Sequence, residues 1–312
     1  MAPIRVTTTT DVQWGNLLLI SNGRIEAAVT LDFGPRVVRF QMAGGPNMFF
    51  ENPEGDVGND APDIAQAYGE GKTWRIRGGH RLWTSPEHMP RTYYPDDDPV
   101  PWTAVENGAV LTPPAEQRNH VQKQLEIRMR PDRNEVEVIH RVTNTGHWDA
   151  EFAVWALSVM APGGTAIVPF ADRGTGLLPN RQLVLWPYTN MNDARVTWGE
   201  KAVILRQRPD TQPFKIGTNN EKGWAAYAKE GHLFVKTYRP VIDGVYPDYG
   251  VSFETYTNGQ FLELETLSEL QRVRPGQTVE HAETWRLFEF AEPDWSDERS
   301  LIARIESLLD ER

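Results

Sequence analysis

At 312 residues with no cysteine and a formal net charge of -11 at neutral pH, the chain excludes disulfides, thiolate metal ligands and cysteine nucleophiles, and its charge repels phosphate backbones and anionic lipid. Neither nucleic acid nor a membrane is therefore expected as a partner. A hydrophobic content of 39% and a charged content of 24% suit a soluble globular fold that buries a sizeable core, while 11 Trp is a heavy aromatic load.

The amino terminus leads into polar threonines. Its only early apolar run, 17–20, is too short for a signal-peptide core, and no later run reaches the length of a membrane span. A cytoplasmic location is expected. From position 17 the chain reads as strands punctuated by turns: 17–21, the Asn22-Gly23 turn, 24–31, 36–42 after Gly34-Pro35, and 47–50 after a Gly-Gly-Pro turn. Residues 51–72 hold many Asp, Glu and Gly and few apolar groups, which predicts a surface loop able to form a rim or lid.

The extended run 74–77, ending at Arg77, delivers the densest chemical stretch, 78–88. Two glycines, His80, Arg81, Trp83, Glu87 and His88 stand there within reach of a polyhydroxylated ligand. His80, Glu87 and His88 match no short metal motif, and Arg81 adds positive charge among them, so no metal is expected. The alternative is a structural turn in which Arg81 pairs with Glu87. Prolines then make 90–101 an irregular aromatic loop.

Alternation at 121–129 and 135–142 predicts a hairpin whose second arm places Val136, Val138, His140 and Val142 on one face, where His140 reads as a satisfied core histidine. The run 152–160 is apolar on both faces and so central. Strands follow at 166–169, 182–186, 202–205, 232–237, 251–256, 260–267 and 278–290. Ser296 can cap a helix over about 296–310 with Leu301, Ile302, Ile305, Leu308 and Leu309 at helical spacing. No linker or repeat divides the chain, so one all-β domain over 1–312 is expected, with a core of about 15–290 in two large antiparallel sheets packed face to face.

Glu263 and Glu265 alternate onto one face of their strand, roughly 6 to 7 Å apart at Cα. They read either as a base beside a hydroxyl-binding carboxylate or as the solvated face of an edge strand. Trp83 leads the candidates for a ring platform, with Trp155 second. Lys236, Asp248 and Glu254, with Tyr246, lie near the closing strands and are either sugar contacts or surface groups. No nucleotide loop, nucleophile elbow or zinc spacing occurs, so no cofactor is expected and proton transfer by carboxylate and imidazole is the available chemistry.

The blocks 78–83 (Gly-Gly-His-Arg-Leu-Trp), 142–146 (Val-Thr-Asn-Thr-Gly), 264–267 (Leu-Glu-Thr-Leu) and 274–278 (Arg-Pro-Gly-Gln-Thr) together resemble the galactose mutarotase (aldose 1-epimerase) superfamily. Blocks 82–87 and 253–257 resemble an uncharacterised bacterial branch of it. The resemblance covers roughly 15–290 and implies a β-supersandwich with a sugar-binding cleft on its concave face. It implies Glu265 as the base that takes the anomeric proton and places His80 in the glycine-flanked histidine block, with the order of His and Gly reversed. The set around them is Arg77, Arg81, Trp83, Glu87, Trp155, Lys236, Asp248, Glu254 and Glu263. The family's His-x-Tyr-Phe acid strand falls at 152–158, which holds no histidine. The implied function is an epimerase or mutarotase acting on a sugar or sugar derivative. Alternatives are a non-catalytic carbohydrate-binding protein and a glycosidase or polysaccharide lyase using paired carboxylates.

Overall fold

The hairpin forms as Val121–Met129 against Glu135–Asn144, with Val121 opposite Asn144 and Met129 opposite Val136. Val136, Val138, His140 and Val142 all turn into the interior, as the period of two requires. The structure is a computed structural model that describes residues 3–209 and 212–310. The expected domain ends at 1–2 and 311–312 lie outside the described residues, as do 210–211.

Two large antiparallel sheets dominate. The first runs in the order Arg5–Asp11, Gly15–Ser21, Ile25–Thr30, Val37–Met42, Gly79–Ser85, Ala150–Met160, Leu262–Leu267, Phe253–Thr257, Phe214–Thr218, Leu183–Leu185. The second runs Val196–Trp198, Ala202–Arg206, Thr165–Pro169, Trp224–Lys229, His232–Tyr238, Thr278–Glu289, Glu135–Asn144, Val121–Met129, Gly108–Leu111, Trp102–Val105. The architecture is a β-supersandwich. Strands Phe214–Thr218 and Trp224–Lys229 go beyond the sequence expectation, and the expected strand at 47–50 reduces to a bridge between Phe49 and Met160.

Between the sheets lies the main core, where Phe234 and Trp285 meet Phe40, Phe49 and each other edge to face, Phe49 and Trp285 at 5.4 Å between centroids. Such pairs add about 0.5–1.5 kcal/mol beyond their buried area. The strand Ala150–Met160, apolar on both faces, is central in the first sheet, between Gly79–Ser85 and Leu262–Leu267. Its register sorts every neighbour by face. Leu157 stands opposite Arg81 and Glu265, while Ser158 stands opposite His80 and Leu264. Arg81, Trp83, Trp155, Glu263 and Glu265 therefore share the outer face, and His80 turns to the inter-sheet side.

The 51–72 segment is more than a loop. Gly58–Asn59 pairs with Trp74–Arg75, and the short helix Pro62–Tyr68 buries Ile64 against an aromatic cluster that includes Trp74, Trp83 and Trp155. It thus covers part of the first sheet's outer face. The C-terminal helix, Glu298–Asp310, buries Leu301, Ile302 and Ile305 on the outer face of the second sheet. Asp297 rather than Ser296 caps it, since Asp297 Oδ1 accepts the Ser300 N–H at 3.0 Å and Ser296 Oγ donates to Asp294. Among the described residues no helix is long and apolar enough to cross a membrane.

Candidate functional site

Three neighbouring strands assemble a charged group on the outer face of the first sheet. Leu262–Leu267 presents Glu263 and Glu265, Phe253–Thr257 places Glu254 opposite Glu265, and Phe214–Thr218 brings Lys215 opposite Tyr256. Lys215 Nζ lies 2.7 Å from Glu254 Oε2 and 3.1 Å from Glu265 Oε2. The Trp155 indole N–H donates to the same Glu265 oxygen at 2.9 Å. Trp155 and Trp186 hold the ammonium between their ring faces, at 4.8 and 4.7 Å. Beside this group Arg81 Nη1 donates to Glu263 Oε1 at 2.8 Å, with its guanidinium 4.2 Å over the Trp83 ring.

All three carboxylates are buried. Burial pushes the Glu254 carboxyl well above its usual range, and the charges of Glu265 and Asp248 add to this against the opposing pull of Lys215. Burial likewise raises Glu265, with Glu263 adding and Lys215 opposing. For Lys215 burial favours the neutral amine, yet Glu254 and Glu265 outweigh it and hold the ammonium well above its usual value. Both carboxyls thus lean toward protonation while the ammonium beside them stays charged. Glu254 Oε1 and Glu265 Oε1 are buried without a hydrogen-bond partner among the described residues, so this group retains acceptor capacity.

A cleft of about 380 Å³ opens over it, lined by Glu87, His88, Met89, Tyr93, Trp155, Trp186, Lys215, Asp248 and Glu254. Two aromatic walls and a floor of charged groups suit a ligand with apolar ring faces and polar edges. Glu87, Trp155, Asp248 and Glu254 of the expected set line this cleft. Arg81, Trp83, Glu263 and Glu265 lie on the same face of the sheet, packed beside or beneath it. Glu263 and Glu265 occupy inner strands of the sheet, not a solvated edge. Arg81 pairs with Glu263, not with Glu87, whose carboxylate instead accepts the Tyr93 hydroxyl.

Three expected residues are elsewhere. His80 is one position from Arg81 and so points through the sheet into the inter-sheet layer, where it meets His140 and Ser158. It does not share the cleft with Glu265. Lys236 belongs to the second sheet and pairs with Glu283 at 2.9 Å in that same layer. Arg77 lies over the Phe33 ring at 4.2 Å and donates to the Pro53 carbonyl, away from the cleft. Among the described residues His80, His140 and Glu283 come close enough to hold a metal, but the two rings bond each other and the carboxylate is taken by Lys236, Thr266 and Trp285. That group is a hydrogen-bonded network.

Sequence reasoning missed Lys215. Its signal was the alternation Phe-Lys-Ile-Gly-Thr over 214–218, a lysine on the polar side of a short apolar strand. Tyr93 and Met89 had no signal beyond their place in the proline-rich loop.

No family model matches the chain, and no curated protein matches it. Solved structures do. The Slr1438 protein from Synechocystis superposes with a TM-score of 0.55 at 11% identity, over 93% of this chain and 98% of its own. A provisionally assigned aldose 1-epimerase from Klebsiella pneumoniae gives a TM-score of 0.58 at 10% identity, over 95% of this chain and 84% of its own. A galactose mutarotase-like protein from Lactobacillus casei gives 0.51 at 10% identity, over 87% of this chain and 100% of its own. At such identities the likeness establishes the fold, which is galactose mutarotase-like.

Proposed function

We propose that the cleft binds a sugar or sugar derivative and that the protein interconverts its ring forms by proton transfer, with Glu265 as the base and Glu254 as the acid. The observation that carries this reading is the Lys215 ammonium bridging two buried carboxyls on adjacent strands. Such a trio sets a carboxyl pushed well above its usual range beside a second one held by a cation and an indole N–H, an asymmetry of the kind that general acid–base chemistry uses.

Glu265 Oε1, buried beneath the cleft and without a hydrogen-bond partner among the described residues, takes the proton of the anomeric hydroxyl once ligand entry shifts the side chains that cover it. As that O–H bond breaks, the anomeric carbon gains a carbonyl and its bond to the ring oxygen opens. Glu254, lining the cleft, gives its proton to the departing ring oxygen. Rotation of the freed aldehyde and the reverse steps close the ring in the other anomer and return both protons, so nothing is consumed. Trp155, Trp186 and Tyr93 pack the C–H faces of the ring. This assignment replaces the family's histidine acid with a carboxyl, which is consistent with the absence of histidine from 152–158 and with His80 facing the other way.

A hydrolase needs two carboxyls on either side of a scissile bond. Glu254 and Glu265 stand directly opposite one another and clasp one ammonium, so a hydrolase would have to draw its pair from Glu87, Asp248 and Glu254, which line the cleft. The deciding experiment is NMR exchange between the anomers of free aldoses with wild-type protein and with Glu265→Gln. Wild type should accelerate the exchange, and the variant should lose about 10²–10⁴-fold. Sugar binding without acceleration would make this a carbohydrate-binding protein instead.

A further inference from the structure

A second cavity, about 330 Å³, opens on the same face of the first sheet, lined in part by Asn180, Gln182, Asn219, Tyr246, Gly250 and Ser252. It continues the rows of the first. Glu254 lines the first cavity and Ser252 the second, Lys215 the first and Asn219 the second, Trp186 the first and Gln182 the second. Ser252, Asn219, Gln182 and Trp186 lie just past the ends of their strands, and steps of two to four residues along extended chain separate the two cavities by roughly 7 to 13 Å. That is the span of a short run of linked sugar rings.

What divides the two cavities is a low ridge. Gly217 stands opposite Glu254 in the strand register, and a Cβ added there would meet the Val251 side chain at 2.9 Å. Before Val251 the backbone crosses the left-handed region at Asp248 (φ 51°), Tyr249 (φ 64°) and Gly250 (φ 94°). Two successive residues bearing a Cβ rarely adopt that conformation. It is held by Gln182, whose side-chain amide donates to the Tyr249 carbonyl. The result puts Asp248 on the first cavity and Gly250 on the second, with Tyr249 between them in the chain and its side chain 88% exposed.

The chemistry of the second cavity is that of a neutral, hydroxylated ligand. Asn180, Gln182, Asn219, Tyr246 and Ser252 bring amides and hydroxyls, and its two arginines are balanced in charge by Glu221 and Asp243. Both of its arginines are engaged: Arg173 pairs with Asp243 at 3.0 Å and Glu221 at 3.3 Å, and Arg181 donates to the Ala171 carbonyl at 3.1 Å with its guanidinium 5.0 Å over the Phe170 ring. Around its rim Val241 and Ile242 are half exposed, and such surfaces pack against the C–H faces of sugar rings. We infer that this cavity is a second sugar-binding position and that the ligand of this face is a neutral oligosaccharide, held across the Asp248–Gly250 ridge, with its terminal unit in the first cleft. The inference rests on the sugar reading of that cleft.

Isothermal titration calorimetry tests it by comparing glucose and galactose with cellotriose, maltotriose and galactotriose. One trisaccharide should bind about tenfold or more tightly than its own monomer, because a linked second contact is intramolecular. Gln182→Ala should bring that ratio close to unity. So should Tyr249→Ala, whose exposed ring packs on little and whose loss does not threaten folding. If monomers bind and no trisaccharide binds more tightly, or if both variants keep the full ratio, the second position is overturned and the first cleft stands. If a trisaccharide is preferred but Glu254→Gln changes neither affinity nor anomer exchange, the reading of the first cleft falls instead. Absence of binding by every sugar in the set removes both.

Discussion

His80 and His140 meet ring to ring across the gap between the two sheets, Nε2 to Nε2 at 2.7 Å. The His140 Nδ1–H donates to the His281 carbonyl at 2.8 Å, so His140 accepts at Nε2 and His80 donates there. His80 Nδ1 then accepts the Ser158 hydroxyl at 2.9 Å. This proton order, assigned from the bonding pattern, works only with both rings neutral. Burial first, then the neighbouring His140 and after it Lys236 and Arg81, hold His80 well below its usual value, and burial lowers His140. A third buried ring, His281, is pushed down to about 3, chiefly by burial.

The first prediction follows from linkage. A histidine whose folded pKa is depressed takes up protons on unfolding at acid pH, so its contribution is full above about 6.5 and is lost as pH falls toward the folded value. Urea denaturation should show stability declining from pH 6.5 downward, with His281 alone accounting for roughly 3 kcal/mol by pH 4. His140→Gln, neutral at every pH, should cost about 1–3 kcal/mol at pH 7.5 and flatten part of the acid decline. An unchanged acid slope in that variant would show that His140 is not titrating on unfolding.

Lys215→Met should be strongly destabilising. It leaves Glu254 and Glu265 buried beside each other with no cation, and breaking a buried pair from one side costs about 3–5 kcal/mol. Adding Glu254→Gln should recover part of that loss by replacing a buried carboxyl that has lost its cation with a neutral amide. A loss under about 1 kcal/mol in urea denaturation, the scale of exposed pairs, would mean that the ammonium is not the cluster's counter-ion.

Glu254→Gln should change stability with a particular sign. The folded state holds this carboxyl's proton where the unfolded chain has released it, because its folded pKa is raised. Its contribution is therefore present below about 4.5, the unfolded value, and is lost as pH rises through the folded one. The variant should gain on wild type progressively between pH 5 and pH 9, while losing anomer exchange. A constant difference across that range would show that Glu254 ionises as freely folded as unfolded.

Trp155→Phe keeps most of the ring but removes the N–H that binds Glu265 Oε2. Hydrogen bonds to charged groups contribute about 1.5–3 kcal/mol, so the carboxylate form of Glu265 becomes less favoured and its pKa moves further up. The acid limb of kcat/KM against pH, which reports the base of the free enzyme, should shift to higher pH. If the limb stays where it is and only KM rises, Trp155 serves the ligand's ring face and not the base.

Much of the architecture could be read from the chain because a strand's side chains alternate with a period of two. The 121–142 hairpin, the doubly buried 152–160 strand and the closing 278–290 strand each show their burial directly in residue order. The C-terminal helix shows its own through apolar spacing at Leu301, Ile302 and Ile305. Local composition also singled out the 78–88 and 261–267 stretches, because polar and aromatic groups are concentrated there against an apolar background. These are properties of neighbours along the chain.

Which of those groups meet is a property of register between strands far apart in sequence. Arg81 and His80 are adjacent, yet the pairing of Gly79–Ser85 with Ala150–Met160 sends one to Glu263 on the outer face and the other to His140 between the sheets. Lys215 lies 50 positions from Glu265 and finds it through two successive strand pairings that no local pattern encodes. The sequence by itself determined the strands, the faces they bury and the stock of carboxylates and aromatics. Only the tertiary structure decided that Lys215, and not His80, stands beside Glu265, since a shift of one residue in pairing exchanges the two faces of a strand.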